Sequence, residues 1–106
     1  MKKYDLYGIN TTSLNKAQMI VEETLSIRLN LHESSYRGGD YCRLNGTGKE
    51  HFIVQYNYNE HEDDWTEARH KDFIFLLYVN ESNRADELRE LLSCNPFIAL
   101  LRREII

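Results

Sequence analysis

The sequence predicts an α+β fold: a single, mostly antiparallel sheet with two helices on one face, ferredoxin-like with an added hairpin. Three observations lead there. Two segments repeat apolar residues at helical spacing on one stripe each, Leu14-Ala17-Val21-Leu25 and Ala85-Leu88-Leu91-Leu92, so each helix has a single face to bury. Other segments alternate or run apolar over strand-like lengths between turn signals. The resulting order, β-α-β-β-β-β-α-β, places both helices in crossovers between strands.

Residues 4–9 alternate aromatic and aliphatic side chains and form the first strand. The polar stop Asn10-Thr11-Thr12-Ser13 can cap the helix that follows, predicted over about 14–29, with Arg28 continuing its stripe and Ile20, Thr24 and Ile27 widening it. Gly38-Gly39 divides residues 32–44 into two short strands or one strand broken by a tight turn, since paired glycines accept backbone angles that other residues avoid. Asn45-Gly46-Thr47-Gly48 is a second turn. After it, residues 51–58 set Phe52, Val54, Tyr56 and Tyr58 on one face and His51, Ile53, Gln55 and Asn57 on the other. Residues 73–79 are apolar at both parities, which suits a central strand covered on both faces. Ser82 or Asn83 then caps the second helix, Asn95-Pro96 ends it, and residues 97–101 form the last strand.

A chain of 106 residues is expected to form one domain, 1–106, burying roughly 60 to 70% of its unfolded surface in one core. Its 42% hydrophobic and 28% charged content excludes a disordered or collagen-like polymer. Met1-Lys2-Lys3 lacks the apolar run of a signal peptide, and no stretch approaches a membrane span, so a soluble cytoplasmic protein is expected. In that compartment Cys42 and Cys94, which share no C-x-x-C motif, are expected to be buried free thiols.

Charge is concentrated in one place. Residues 59–72, NEHEDDWTEARHKD, set Glu60, Glu62, Asp63, Asp64, Glu67 and Asp72 against Arg69 and Lys71. Their formal charge of -4 equals that of the whole chain, so the remaining residues sum to zero. A metal site would need His61 and His70 to converge, and a loop fixes no face to aim them; neither H-E-x-x-H nor a calcium loop occurs. Glu60 and Glu62 could do acid/base work only inside a cleft that separates their pKa values, whereas so polar a run is expected to be solvated. Gly46-Thr47-Gly48-Lys49-Glu50 fails as a phosphate loop because Arg43 and Glu50 stand where Gly and Ser or Thr are required. Ser34, Ser35, Ser82 and Ser93 lie in no G-x-S-x-G context. Direct nucleic-acid binding needs a basic face, and the basic cluster is only Arg102-Arg103. The acidic run is instead complementary to a basic protein, and Trp65 within it is either a core plug or an interface anchor.

The segments YRGGDYCRLNG, EHFIVQYN, DFIFLLYVNESNRADEL and FIALLRRE, in the C-terminal two thirds, resemble small bacterial immunity proteins encoded beside polymorphic toxins, including those of contact-dependent growth inhibition systems. That resemblance implies a protein that binds a cognate toxin and blocks its active site or activation, and many such toxins are basic nucleases. Immunity surfaces differ between members, so the contact residues are chosen on charge and aromatics. Tyr58, Glu60, Glu62, Asp63, Asp64, Trp65 and Glu67 are expected to bind the partner, with no catalytic residue, metal or cofactor. The next surface to consider is around Tyr36, Asp40 and Tyr41. An acidic regulatory or adaptor module, and a small hydrolase using loop carboxylates, are the alternatives.

Overall fold

A computed structural model describes residues 2–34, 39–46 and 48–105. Strands β1 (Lys3–Ile9), β2 (Asn30–Ser34), β3 (Gly39–Leu44), β4 (His51–Tyr56), β7 (Phe75–Ser82) and β8 (Ile98–Ile105) form one sheet in the order β2-β3-β4-β7-β1-β8. Every neighbouring pair in it is antiparallel. Helix α1 (Leu14–Leu25) follows β1, and α2 (Ala85–Ser93) joins β7 to β8 across the intervening β1. The inner order β8-β1-β7-β4 is that of a ferredoxin-like sheet, and β2-β3 is the added hairpin on its β4 side. A further two-stranded ribbon, β5 (Tyr58–Asn59) and β6 (Asp64–Trp65), lies between β4 and β7 in the chain.

Side-chain parity separates the two faces of the sheet. Tyr7 and Ile9 of β1, Phe52 and Val54 of β4, Phe75, Leu77 and Val79 of β7 and Ile98 of β8 join Leu14, Ala17, Val21 and Leu25 of α1 and Leu88 and Leu92 of α2 in one buried cluster. Both helices therefore cover the same face. The central position of β7, between β4 and β1, explains its double-sided apolarity. It begins at Phe75, however, so Ile74, assigned to the strand by its run of apolar neighbours, lies before it and is half exposed. Phe97 is likewise outside β8 and half exposed.

Helix α1 begins as expected: Ser13 is its N-cap and accepts the Lys16 backbone N–H at 3.2 Å. It ends four residues earlier than its apolar stripe suggests. Ser26 turns left-handed (φ 56°), and the Glu22 carbonyl takes the backbone N–H groups of both Ser26 and Ile27. The Glu22 carboxylate then accepts the Leu29 N–H at 2.7 Å, which fixes the exit toward β2. Helix α2 has no side-chain N-cap; the Ser82 hydroxyl accepts the Arg84 N–H just before it and donates to Glu50. Glu50 also receives two nitrogens of the Arg84 guanidinium. Burial would raise the Glu50 pKa, but the bonds from Arg84 and Ser82 together outweigh it and hold the carboxyl below its usual range. Leu91, expected to face inward, is 48% exposed, because the buried stripe runs Ala85-Leu88-Leu92.

A bulge in β8 decides which of two adjacent arginines faces the helices. Register shifts between Leu6 and Tyr7, so that Tyr7 pairs with Leu100 while Leu6 pairs with Arg102 and Asp5 with Arg103. Arg103 thereby reaches the helix face and grips the buried Asp5 carboxylate with two bonds, 2.8 and 2.9 Å, and Asp86 of α2 with a third at 2.6 Å. Pairing of this kind makes a carboxylate tolerable at 2% exposure. Arg102 turns to the opposite, helix-free face.

Candidate functional site: an acidic ribbon on the helix-free face

Leu6, Ile53 and Leu76 point away from the helices and are nevertheless buried, because residues 57–74 fold back over that face of the sheet. Gly8 makes room for this return. A β-carbon there would sit 2.4 Å from the Phe73 ring, so a larger residue would push the end of the segment off the sheet.

The organiser of the segment is Asn57, fully buried just after β4. Its amide nitrogen donates to the carbonyls of His70 and Phe73 at 2.9 and 3.0 Å and reaches that of Glu67 at 3.5 Å. Its side-chain oxygen accepts the Glu67 N–H at 2.8 Å. Its backbone bonds to the Ile74 carbonyl and the Thr66 N–H. One side chain thus ties together four points of a segment that has no apolar stripe to fix it. Expected to continue the alternation of β4, Asn57 instead ends it.

Beyond Asn57 the chain forms the β5–β6 ribbon, pairing Tyr58 with Trp65 and Asn59 with Asp64. The Asn59 side-chain oxygen accepts the backbone N–H of His61 at 3.0 Å and of Glu62 at 3.2 Å, and Asp63 takes a left-handed conformation (φ 52°) that an acidic turn residue tolerates. The Tyr58 and Trp65 rings meet edge to face, 5.3 Å apart. The Tyr58 hydroxyl donates to Asp63, and this bond, with the neighbouring acidic charges, holds its pKa above the usual tyrosine value.

The structure distributes the seven expected contact residues unequally. Glu60, Glu62, Asp63 and Asp64 are exposed around the tip of the ribbon, and Tyr58 and Trp65 are partly buried at its base. Glu67 departs from the expectation of a partner contact: its carboxylate accepts the Tyr78 hydroxyl at 2.8 Å and meets Arg102 of the same chain at 3.0 Å. It anchors the segment to the sheet. His61 is exposed while His70 is partly buried, and the His70 carbonyl is the group in use. Among the described residues no three His, Cys, Asp or Glu side chains are placed to hold a metal ion, and no helix is long and apolar enough to cross a membrane. Of the second surface considered, Tyr36 lies outside the described residues, Asp40 is exposed, and Tyr41 stacks on His32 at 5.4 Å.

Between the ribbon and the sheet lies a half-open cleft of about 410 Å³. Its walls include Ile53, Gln55, Glu62, Trp65 and Tyr78. The sequence gives a partial signal for it: Ile53 and Gln55 fall on the face opposite the core, but only the fold brings Trp65 over them. A separate apolar groove passes between Met19 of α1, Ile74 and Phe97, each about half exposed (49%, 50% and 51%). Met19 lies off the apolar stripe of α1, whereas the apolar runs around Ile74 and Phe97 do not distinguish those two from core residues.

The cysteines differ in exposure. Burial raises the Cys42 thiol to about 11, helped by Glu22 and Asp40, whereas Cys94, expected to be buried, is exposed. At neutral pH a chromogenic disulfide reagent should label one thiol rapidly, and Cys94→Ser should abolish that phase. Rapid labelling that survives Cys94→Ser would place Cys42 at the surface.

Compared with known protein families, with curated proteins and with solved structures, the chain matches none.

Proposed function

We propose that this chain is a cytoplasmic immunity protein that binds a cognate toxin domain, a basic nuclease, and neutralises it by occluding its active site. The observation that carries this reading is the ribbon tip. Four exposed carboxylates, Glu60, Glu62 and Asp63 in the turn and Asp64 at the start of β6, cluster at the ribbon tip, whose turn is fixed by Asn59 and whose base is fixed by Asn57. Such preorganisation means little ordering is lost on binding, and concentrated negative charge speeds the encounter with a basic groove. The partly buried Trp65–Tyr58 pair beside the carboxylates supplies contact area of the type that dominates interface energetics. An acidic adaptor would use the same surface and would differ in its partner.

The two parts of this surface respond to different measurements. Changing Glu62→Gln, Asp63→Asn and Asp64→Asn together should slow association with the basic domain and flatten its salt dependence, with the melting temperature almost unchanged, since asparagine also accepts the left-handed backbone at 63. Trp65→Ala should speed dissociation and weaken binding by about 2 kcal/mol or more. Inhibition decides the function itself. A basic nuclease domain encoded beside the chain's own gene should lose activity when an equimolar amount of the protein is added, and full retained activity overturns the reading.

A further inference from the structure

We infer that the cleft beneath the acidic ribbon is an arginine socket, receiving the guanidinium of one arginine side chain from the partner protein. The inference deepens the proposed function and depends on it only for the identity of the protein that carries the arginine.

Three features of the cleft select this occupant. Glu62 is the only charged side chain among the described residues lining it, so the charge to be matched is a single positive one. Among the described residues no lysine, arginine or histidine lines it to satisfy that charge internally. Glu60, Asp63 and Asp64, exposed around the same ribbon tip, extend the negative potential around Glu62 and disfavour phosphate or carboxylate ligands. The second feature is aromatic: Trp65 and Tyr78 stand in the walls. A guanidinium is planar, weakly hydrated and able to lie on an aromatic face while its N–H fork meets a carboxylate, whereas an ammonium is a compact, strongly hydrated charge that gives up more water on entering.

The third feature is that this face of the sheet already holds one guanidinium between carboxylates and close to Tyr78. Arg102 sits in the adjoining cleft, which shares Tyr78 and Asn80 with the first, and is held by Glu67 at 3.0 Å and Glu104 at 3.3 Å. The chain's own arginine thus lies in the wall of the neighbouring cleft, paired within the chain, while the cleft beneath the ribbon is open to solvent on its outer side. At about 410 Å³ it takes an arginine side chain together with part of the backbone that delivers it.

Trp65 is the only tryptophan in the chain, so fluorescence excited at the red edge, where tyrosine does not absorb, reports on this cleft. The test titrates the full-length protein with N-acetylarginine amide, with the lysine amide, and with the citrulline amide, a neutral compound of nearly the same shape. The arginine amide should change the fluorescence saturably with a dissociation constant on the order of 1–10 mM. The citrulline amide should bind at least about tenfold more weakly, the difference expected from losing a cation–carboxylate and cation–π contact. Glu62→Gln should weaken arginine binding to the citrulline level while leaving the emission spectrum of the free protein unchanged. Amide NMR spectra provide a second reading, with shifts confined to residues around Gln55, Asn59 and Trp65. Equal, linear responses to arginine and citrulline amides, or an undiminished response in Glu62→Gln, overturn the socket. A lysine amide that binds as well as the arginine amide reduces it to a general cation site and overturns the arginine assignment. Saturable arginine binding by a protein that fails to inhibit the nuclease would keep the socket and remove the toxin reading; inhibition without arginine binding would do the reverse.

Discussion

Replacing Asn57 with Ala should lower the unfolding free energy by about 3–4 kcal/mol and the melting temperature by more than about 10 °C, with the added result that partner binding weakens more than the unfolded fraction explains. The side chain removed is fully buried and makes its bonds to the carbonyls of His70 and Phe73 and the N–H of Glu67, on a segment with few apolar contacts of its own. Each such group left unpaired costs about 1–3 kcal/mol, and the sum falls short of three full penalties because a surface segment can relax toward water. Asn57→Asp separates donor from acceptor. It retains the oxygen that meets Glu67 but places a carboxylate against two carbonyls, and it should be at least as damaging. Equilibrium denaturation and binding measured on the same variants check both parts. A loss below about 1 kcal/mol would show that the ribbon is held by other contacts, chiefly Glu67 on Tyr78 and Arg102.

The role of Asn57 illustrates what was legible in the sequence and what was not. The charge run, its local -4 and the aromatic set in it are compositional facts that mark the segment, but not that it covers the second face of the sheet. Composition does not say which carboxylates face solvent. Glu67 has the same side chain as Glu60 and Glu62, and its inward role depends on Tyr78, eleven residues away, and on Arg102, thirty-five away, both brought to it by strand order. Asn57 likewise bonds to groups ten to sixteen residues ahead, so no local window reveals it. Its place at the end of the alternating run His51–Tyr56 makes the continuation of the strand the natural reading.

The sheet and helices were more legible because their periodicity is local. Alternation at 51–56, the doubly apolar run before Val79 and the turn signals between them located the strands of the main sheet, and one-sided stripes located the helix faces except at Leu91. The departures come where backbone geometry intervenes. Ser26 ends α1 in a left-handed turn although Ile27 and Arg28 continue the apolar spacing, and serine is not a residue that announces such a turn. The bulge exchanges the faces that Arg102 and Arg103 would take in a regular strand continuing from Ile98 and Leu100. Both departures position groups of consequence: one releases the chain toward the added hairpin, and the other supplies Arg102 to the anchor of the acidic ribbon.

Leu88→Ala should cost about 2–5 kcal/mol, while Leu91→Ala should stay within about 0.5 kcal/mol of the parent. The two leucines are three residues apart and belong to the same apolar spacing in the sequence, so the contrast isolates which side of α2 the fold buries. Leu88 is 2% exposed within the cluster that joins Val21 and Leu25 of α1 to the sheet, and truncating it leaves a cavity bounded by both helices and β-strand side chains. Leu91 is 48% exposed and lines a shallow surface groove beside Phe97, where a lost side chain is replaced by water. Chemical denaturation of the two single variants, with unchanged m-values confirming two-state unfolding, reads the difference directly. Because Leu88 lies on the face opposite the acidic ribbon, its truncation should leave the association rate of the folded fraction with a basic partner as it was. A fall in that rate at full folding would mean that helix packing transmits to the ribbon through the sheet, and equal losses for Leu88→Ala and Leu91→Ala would mean that α2 is rotated from the orientation described.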